Sequence, residues 1–224
     1  MVELTPAEQA QIASAIEAAE ALTDGEIVCT LSLEHHRYVE WVLALAAAAG
    51  FLVPVLLTAL GFGPTFFAFL FGQWQSEPLS DWQTVEIFAL MQVTILILTT
   101  LLLWWSPFAQ RLVPLSIRRE RVHEIALKQF LTRGIHLTAS RTGVLIHVSF
   151  EDHVVEVIAD ESIYSKVPQE HWAETVAALL DGIRRGDTAD GFVRAIALAG
   201  DMLATHFPKT DNNPDELPNR LVIV

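Results

Sequence analysis

A chain of 224 residues with 27 acidic and 14 basic side chains carries a formal charge of −13 at neutral pH. That balance excludes nucleic acid as an expected partner, because such binding rests on neutralisation of phosphates by Lys and Arg. One cysteine, Cys29, excludes an intramolecular disulfide, and a hydrophobic share of 52% raises the question of where so much apolar surface is kept.

From the N-terminal end, Thr5-Pro6-Ala7-Glu8 reads as a capping box with Pro at the first helical position. The helix it opens carries Ile12, Ile16 and Ala19 on one face. Gly25 to Ser32 follows as a β-favouring strand, which delivers the chain to Glu34, His35 and His36. Then comes a stretch without Asp, Glu, Lys or Arg, from Trp41 to Ser76. A bilayer-spanning helix needs about 20 apolar residues, and residues 41–60 supply them. Pro54 within that span kinks rather than ends it, since partner helices re-satisfy freed backbone groups. Gly61, Gly63 and Pro64 then break it, and the aromatic segment 65–72 is too short to cross, so it is expected at the interface or partly inserted. A second span is predicted over 86–105, with Trp74, Trp82, Trp104 and Trp105 where aromatic belts belong.

Positive charge sets the expected topology. Arg37 precedes the first span, and Arg111, Arg118, Arg119 and Arg121 follow the second, whereas only Glu77, Asp81 and Glu86 lie between them. Lys and Arg near span ends are retained in the cytoplasm, so both termini are expected there. The first forty residues contain no apolar signal-peptide core. The Arg118, Arg119, Arg121 cluster is read first as this topology signal and second as a site for anionic lipid.

Beyond the second span, Ser116 is expected to cap a helix with Val122, Ile125, Ala126 and Phe130 on one stripe, ending near Gly134. Strands Gly143 to Phe150 and His153 to Ala159 are joined by a tight antiparallel turn at Glu151-Asp152. Helices follow over Gln169 to Arg184 and Ala189 to His206, then a linker-like Pro208 to Pro218, and Leu221 to Val224 as an expected terminal edge strand. An isolated strand is unstable in water, so the first strand must pair with the later hairpin. The reading is therefore one split α/β domain with a small mixed sheet flanked by helices, formed by residues 1–37 and 113–207. A two-helix transmembrane hairpin is inserted at 38–112, and 208–224 form a tail.

At Thr23-Asp24-Gly25-Glu26-Ile27-Val28, then Arg141-Thr142-Gly143-Val144-Leu145-Ile146, then Val155 to Asp160 and the helix carrying Trp172, the chain resembles the TPM domain family. More narrowly it is similar to the bacterial membrane branch of that family, in which a transmembrane hairpin interrupts the domain. The resemblance implies a Rossmann-like α/β/α sandwich and a place in the bacterial inner membrane as a multi-pass protein. Better-studied members bind calcium and have been assigned acid phosphatase activity, with an Asp-Asn-Gly-Val-Leu-like segment opening the second strand. Here the corresponding residues are Arg141-Thr142-Gly143-Val144-Leu145, a cation where those members carry a carboxylate.

If the first two strands run parallel, Glu34, His35, His36, Glu151 and Asp152 gather at the end of the sheet facing the membrane. Asp24, Arg141, Thr142, Asp160 and Glu161 gather at the opposite end, which the resemblance makes the functional edge and hence the candidate ligand site. The alternative is a capping and salt-bridge cluster, with Arg141 paired to Asp160 or Asp24. His147 is expected across from Glu156 on one sheet face, either as an acid–base pair or as a structural cross-strand contact. No zinc site is expected, because neither the His35-His36 doublet nor His171 with Glu174 supplies three or four ligands. No cofactor is expected, calcium being the one the resemblance suggests. A transporter needs ionisable groups within its spans, and apart from Glu86 at the edge of the second these spans have no Asp, Glu, Lys or Arg. The preferred expectation is a non-enzymatic interaction or assembly module with protein partners at the cytoplasmic face of a lipid bilayer. The alternative is a membrane-bound phosphatase-like or metal-binding enzyme.

Overall fold

The computed structural model describes residues 4–34, 38–70, 79–106, 112–138, 140–210 and 216–224. Helix α1 spans Pro6–Glu20. Its capping box forms as expected, with the Thr5 hydroxyl accepting from the Glu8 amide and the Glu8 carboxylate accepting from the Thr5 amide. These bonds to Thr5 hold the Glu8 carboxyl below its usual range.

Strand β1 (Glu26–Ser32) is buried at all seven positions, because it lies inside a four-stranded sheet. Strand β2 (Gly143–Ser149) pairs with it in parallel, Glu26 opposite Gly143 and Ser32 opposite Ser149. Strand β3 (Val154–Ala159) runs antiparallel to β2, and β4 (Leu221–Ile223) lies parallel to β1, so the order is β3-β2-β1-β4. The terminal segment thus docks as the expected edge strand. The β2–β3 turn is closed by the His153 amide donating to Phe150 O, with Glu151 and Asp152 as its central residues.

One face of the sheet presents Ile27, Cys29, Leu31, Val144, Ile146 and Val148 to α1, α7 (Gln169–Arg185) and α8 (Thr188–His206). Ile12, Ile16, Leu179, Phe192, Ile196 and Leu203 fill that layer with no accessible surface. Each such side chain contributes about 1.5–3 kcal/mol by leaving water, more than helix propensity supplies to α1. The opposite face places Val28, Leu145 and Ile158 against Ala126 and Phe130 of α5 (Leu115–Thr132) and Ile135 of a short 3-10 turn. Helices on both faces of a small mixed sheet make the α/β sandwich.

Helix α5 starts one residue before Ser116, which sits in its first turn rather than capping it. The expected terminator is correct: Gly134 adopts a left-handed φ of 69°. Val122, Ala126 and Phe130 of the predicted stripe are buried and Ile125 is half-buried.

Residues 4–34 and 115–224 belong to one compact unit, while 38–114 form a second. In the second unit α2 (Val39–Ala59) runs through Pro54 without ending. Helix α4 (Asp81–Trp105) begins five residues before the predicted start at 86, because Ser80 and Gln83 form a capping box of their own. The two helices pack antiparallel. The Trp41 indole donates to Leu112 O at 3.0 Å, and a Cβ on Gly50 would lie 3.2 Å from Leu96 Cβ and 3.3 Å from Gln92 O. Between them, Pro64–Leu70 forms the short helix α3 packed on α4; residues 71 and 72 of the predicted interfacial segment lie outside the described residues. Both α2 and α4 are long and apolar enough to cross a membrane.

Candidate functional site

Strands β1 and β2 start side by side, and the loops that feed them define one end of the sheet. Glu26 donates its amide to Thr142 O, Thr142 Oγ1 donates to Asp24 O at 2.7 Å, and the Asp160 amide donates to Gly143 O. Asp24, Thr142 and Asp160 are therefore brought to one edge, as the sequence led us to expect. Glu161 is next to them as the first residue of α6 (Glu161–Tyr164).

Their polar atoms are largely engaged by the neighbouring chain. Asp24 accepts from the amide and the hydroxyl of Thr210, both at 2.8 Å, and Asp160 Oδ1 accepts from the Glu161 amide at 2.7 Å as the N-cap of α6. Arg141 is exposed, has a left-handed φ of 49° and pairs with neither Asp24 nor Asp160 among the described residues. The expected salt bridge is replaced by bonds from the C-terminal tail to Asp24.

An open cleft of about 520 Å³ lies at this edge, lined by Asp24, Ser140, Thr142, Ser162, Ser165, Lys166, Phe207, Pro208 and Thr210. Five hydroxyls, one carboxylate and one ammonium make it polar. Lys166 Nζ stands 4.5 Å from the centre of the Phe207 ring, a cation–π contact. Of the sequence candidates only Asp24 and Thr142 line the cleft. Ser162 arrives on α6 and Ser165 and Lys166 on its C-terminal flank, and the one signal of α6 in the sequence is Asp160 ahead of Glu161-Ser162. Calcium takes six to eight oxygen ligands; at this edge Asp24 accepts from Thr210 and Asp160 Oδ1 from the Glu161 amide. Among the described residues no three His, Cys, Asp or Glu side chains come together as a metal-binding group.

A second cleft of about 220 Å³ has Glu17, Glu20, Glu26, Lys209 and Asn219 in its wall. Glu20 and Glu26 are buried there. Glu20 accepts from the Ile27 amide at 2.7 Å, and Lys209 Nζ reaches Glu20 O at 3.1 Å. The Glu20 carboxylate thus fixes the start of β1, its main-chain carbonyl holds Lys209 of the tail, and Glu26 Oε1 accepts from the Glu216 amide at 3.4 Å, roles that sequence periodicity did not single out.

His147 and Glu156 stand directly across from each other in the β2–β3 register, but they do not form the expected pair. His147, fully buried, shares a 2.8 Å hydrogen bond between Nδ1 and Thr30 Oγ1. Glu156 Oε1 instead lies 2.8 Å from His123 Nδ1 on α5. Cross-strand geometry brings the backbones into register, and the helix above captures the more exposed carboxylate. At the far end of the sheet Ser149 Oγ donates to Asp152 Oδ2 at 2.8 Å. His35 and His36 lie outside the described residues.

No family model matches the chain, and no curated protein matches it. Among solved structures it is similar to the NMR structure of the BA42 protein from the psychrophilic bacterium Bizionia argentinensis, with a TM-score of 0.56 and 20% identity over 100% of this chain and 97% of that one. A likeness at that identity speaks for the fold alone.

Proposed function

We propose that the chain is a membrane-anchored protein of the TPM-domain type, whose α/β unit serves as an interaction or assembly module at the cytoplasmic face of a bacterial inner membrane. One observation carries this reading. Helices α2 and α4, inserted between β1 and β2, are apolar beyond their first turns, yet only 17% of the most apolar stretch of α2 and 6% of that of α4 is buried. Phe51, Leu52, Leu56, Leu98 and Leu102 are each more than half exposed. A soluble protein does not leave so large an apolar surface uncovered, whereas lipid covers it without cost.

The non-enzymatic reading is supported by what the edge residues do. Asp24 is bonded to Thr210 of the tail, Asp160 caps α6, and Arg141, exposed at a left-handed loop position, pairs with neither among the described residues. The hydroxyl-rich cleft beside Lys166 favours a second reading, a membrane-bound phosphatase-like enzyme.

Full-length protein in detergent, assayed on a phosphomonoester with and without calcium, separates the two. Asn keeps the helix-capping ability of Asp160, so turnover that Asp160→Asn abolishes without unfolding the protein would establish the enzyme. No turnover, together with stoichiometric recovery of a partner by in-membrane crosslinking from Arg141, is the outcome expected of the module.

A further inference from the structure

Helix α5 carries a stripe of Leu115, Arg119, Val122, Ala126 and Phe130, spaced so that all five point to one side. Val122, Ala126 and Phe130 are buried against the sheet, but Leu115 is 45% exposed and Arg119 is exposed. The first two turns of α5 thus leave Leu115 and Arg119 uncovered among the described residues. Arg119 makes no hydrogen bond or ion pair among the described residues. Arg118, beside it, is held by a bond from Nη1 to Asp152 O at 3.3 Å, which ties this turn to the β2–β3 connection. Ser32, where β1 ends and the chain departs toward α2, pairs with Ser149 at that same end of the sheet.

Covalent length then limits where these two residues can be. Leu112 O accepts from the Trp41 indole in the first turn of α2, and α5 starts three residues after Leu112. Three residues span at most about 10 Å. With α2 and α4 in a bilayer, Trp41 sits at headgroup depth, where Trp is enriched. Leu115 and Arg119 are then held within reach of headgroups by the chain itself.

Charge points the same way. Helix α5 carries Arg118, Arg119, Arg121 and Lys128 against Glu120 and Glu124, in a chain whose net charge is −13. The one carboxylate of the adjoining turn that is exposed is Glu151, since Asp152 is buried on Ser149.

We infer that the first two turns of α5 bind the phosphate of an anionic phospholipid headgroup, with Arg119 as the principal contact, Arg121 as a second cation and Leu115 entering the acyl boundary. An uncovered Leu beside an unpartnered Arg suits that boundary, where the apolar body and the charged tip each find their solvent. This inference rests on the anchoring proposed above.

The test uses full-length protein purified in nonionic detergent, titrated with phosphatidylglycerol or phosphatidylcholine, with bound lipid counted by native mass spectrometry. Each Arg at a membrane surface is worth about a fivefold change in anionic-lipid binding. Arg119→Gln is therefore expected to lower phosphatidylglycerol retention about fivefold, and Arg119→Gln with Arg121→Gln further, leaving phosphatidylcholine unchanged. Arg184→Gln, a matched charge loss on exposed α7, is expected to have no effect. Inorganic phosphate at millimolar concentration is expected not to displace the lipid; displacement would mark a free-phosphate site and overturn the inference. So would equal retention of the two lipids by the wild type, or wild-type retention by the double variant. Alkaline carbonate extraction of native membranes reports separately on anchoring: protein that is retained but shows no lipid preference sinks this inference alone, and protein that washes off sinks the anchoring.

Discussion

Thr30 Oγ1 and His147 Nδ1 share a 2.8 Å hydrogen bond in the interior of the sheet, although 117 positions and both apolar helices separate them along the chain. The two residues are register partners in the β1–β2 ladder and neither has accessible surface. The bond therefore exists only when the segments on either side of the insertion fold together. Thr30→Val leaves a buried imidazole nitrogen without this partner, at a cost of about 1–3 kcal/mol. Urea denaturation of the full-length protein in detergent, followed by tryptophan fluorescence, should show a lowered midpoint. Combining Thr30→Val with His147→Phe should cost less than the two single changes added together.

Cys29 is enclosed between α1 and the sheet, with no accessible surface. Burial, and secondarily the charge of Glu20, pushes its thiol far above the ordinary range. The folded protein at pH 8.5 should react with a thiol reagent at least about a hundredfold more slowly than the urea-unfolded chain. The sign of the linked pH effect follows from the same shift. The unfolded thiol ionises near about 8.5, so the stability tied to the neutral thiol is fully present below that pH. It is lost as the pH rises above it, and Cys29→Ala should flatten this alkaline decline in the denaturation midpoint.

Helices α7 and α8 meet at Gly182 and Gly191. A Cβ built on Gly182 would lie 2.4 Å from Gly191 Cα and 2.9 Å from Asp187 O, both backbone atoms that cannot rotate away. Gly182→Val should force the helices apart and destabilise the unit by about 1–3 kcal/mol or more, read as a lowered denaturation midpoint. Arg185 and Arg194, which pair with Asp181 and Asp190 within and across the same two helices on the surface, should matter much less: Arg185→Gln is expected to leave the denaturation midpoint nearly unchanged, because exposed ion pairs are screened by solvent.

Val93 lies midway along α4 and is 54% exposed. In water an Arg at such a position would be nearly neutral for stability. In lipid it costs about 2.5–3.5 kcal/mol. Val93→Arg should therefore reduce the membrane-integrated fraction sharply, measured by carbonate extraction, whereas Leu22→Arg, on an equally exposed leucine of the α/β unit, should leave it unchanged.

Much of the fold was legible because local chemistry and tertiary packing agree. Thr5 with Glu8 opens α1, Gly143 to Phe150 and His153 to Ala159 read as strands, and a turn centred on Glu151-Asp152 sets His147 against Glu156. Periodicity does not show which partner a side chain takes. His147 turned to Thr30, and Glu156 to His123, because the choice depends on β1 and on the helix laid over the sheet. The start of α4 was missed because Ser80 with Gln83 is a stronger helix signal than the apolar boundary at Glu86. Cleft residues were harder still. Thr210 reaches Asp24 across 186 positions, and Ser162, Ser165 and Lys166 come from a four-residue helix and its C-terminal flank, too short to leave a periodic trace.

Cysteine accessibility across intact inner-membrane vesicles of known orientation tests the central claim most directly. In a Cys29→Ser background, single cysteines replace Leu22, Ser80 and Leu137, all exposed, and are offered a membrane-impermeant maleimide. Positions 22 and 137 should label from one side, the cytoplasmic one, and position 80 from the other. Labelling of positions 22 and 137 from opposite sides would contradict the account, because β1 and β2 could not then share a sheet.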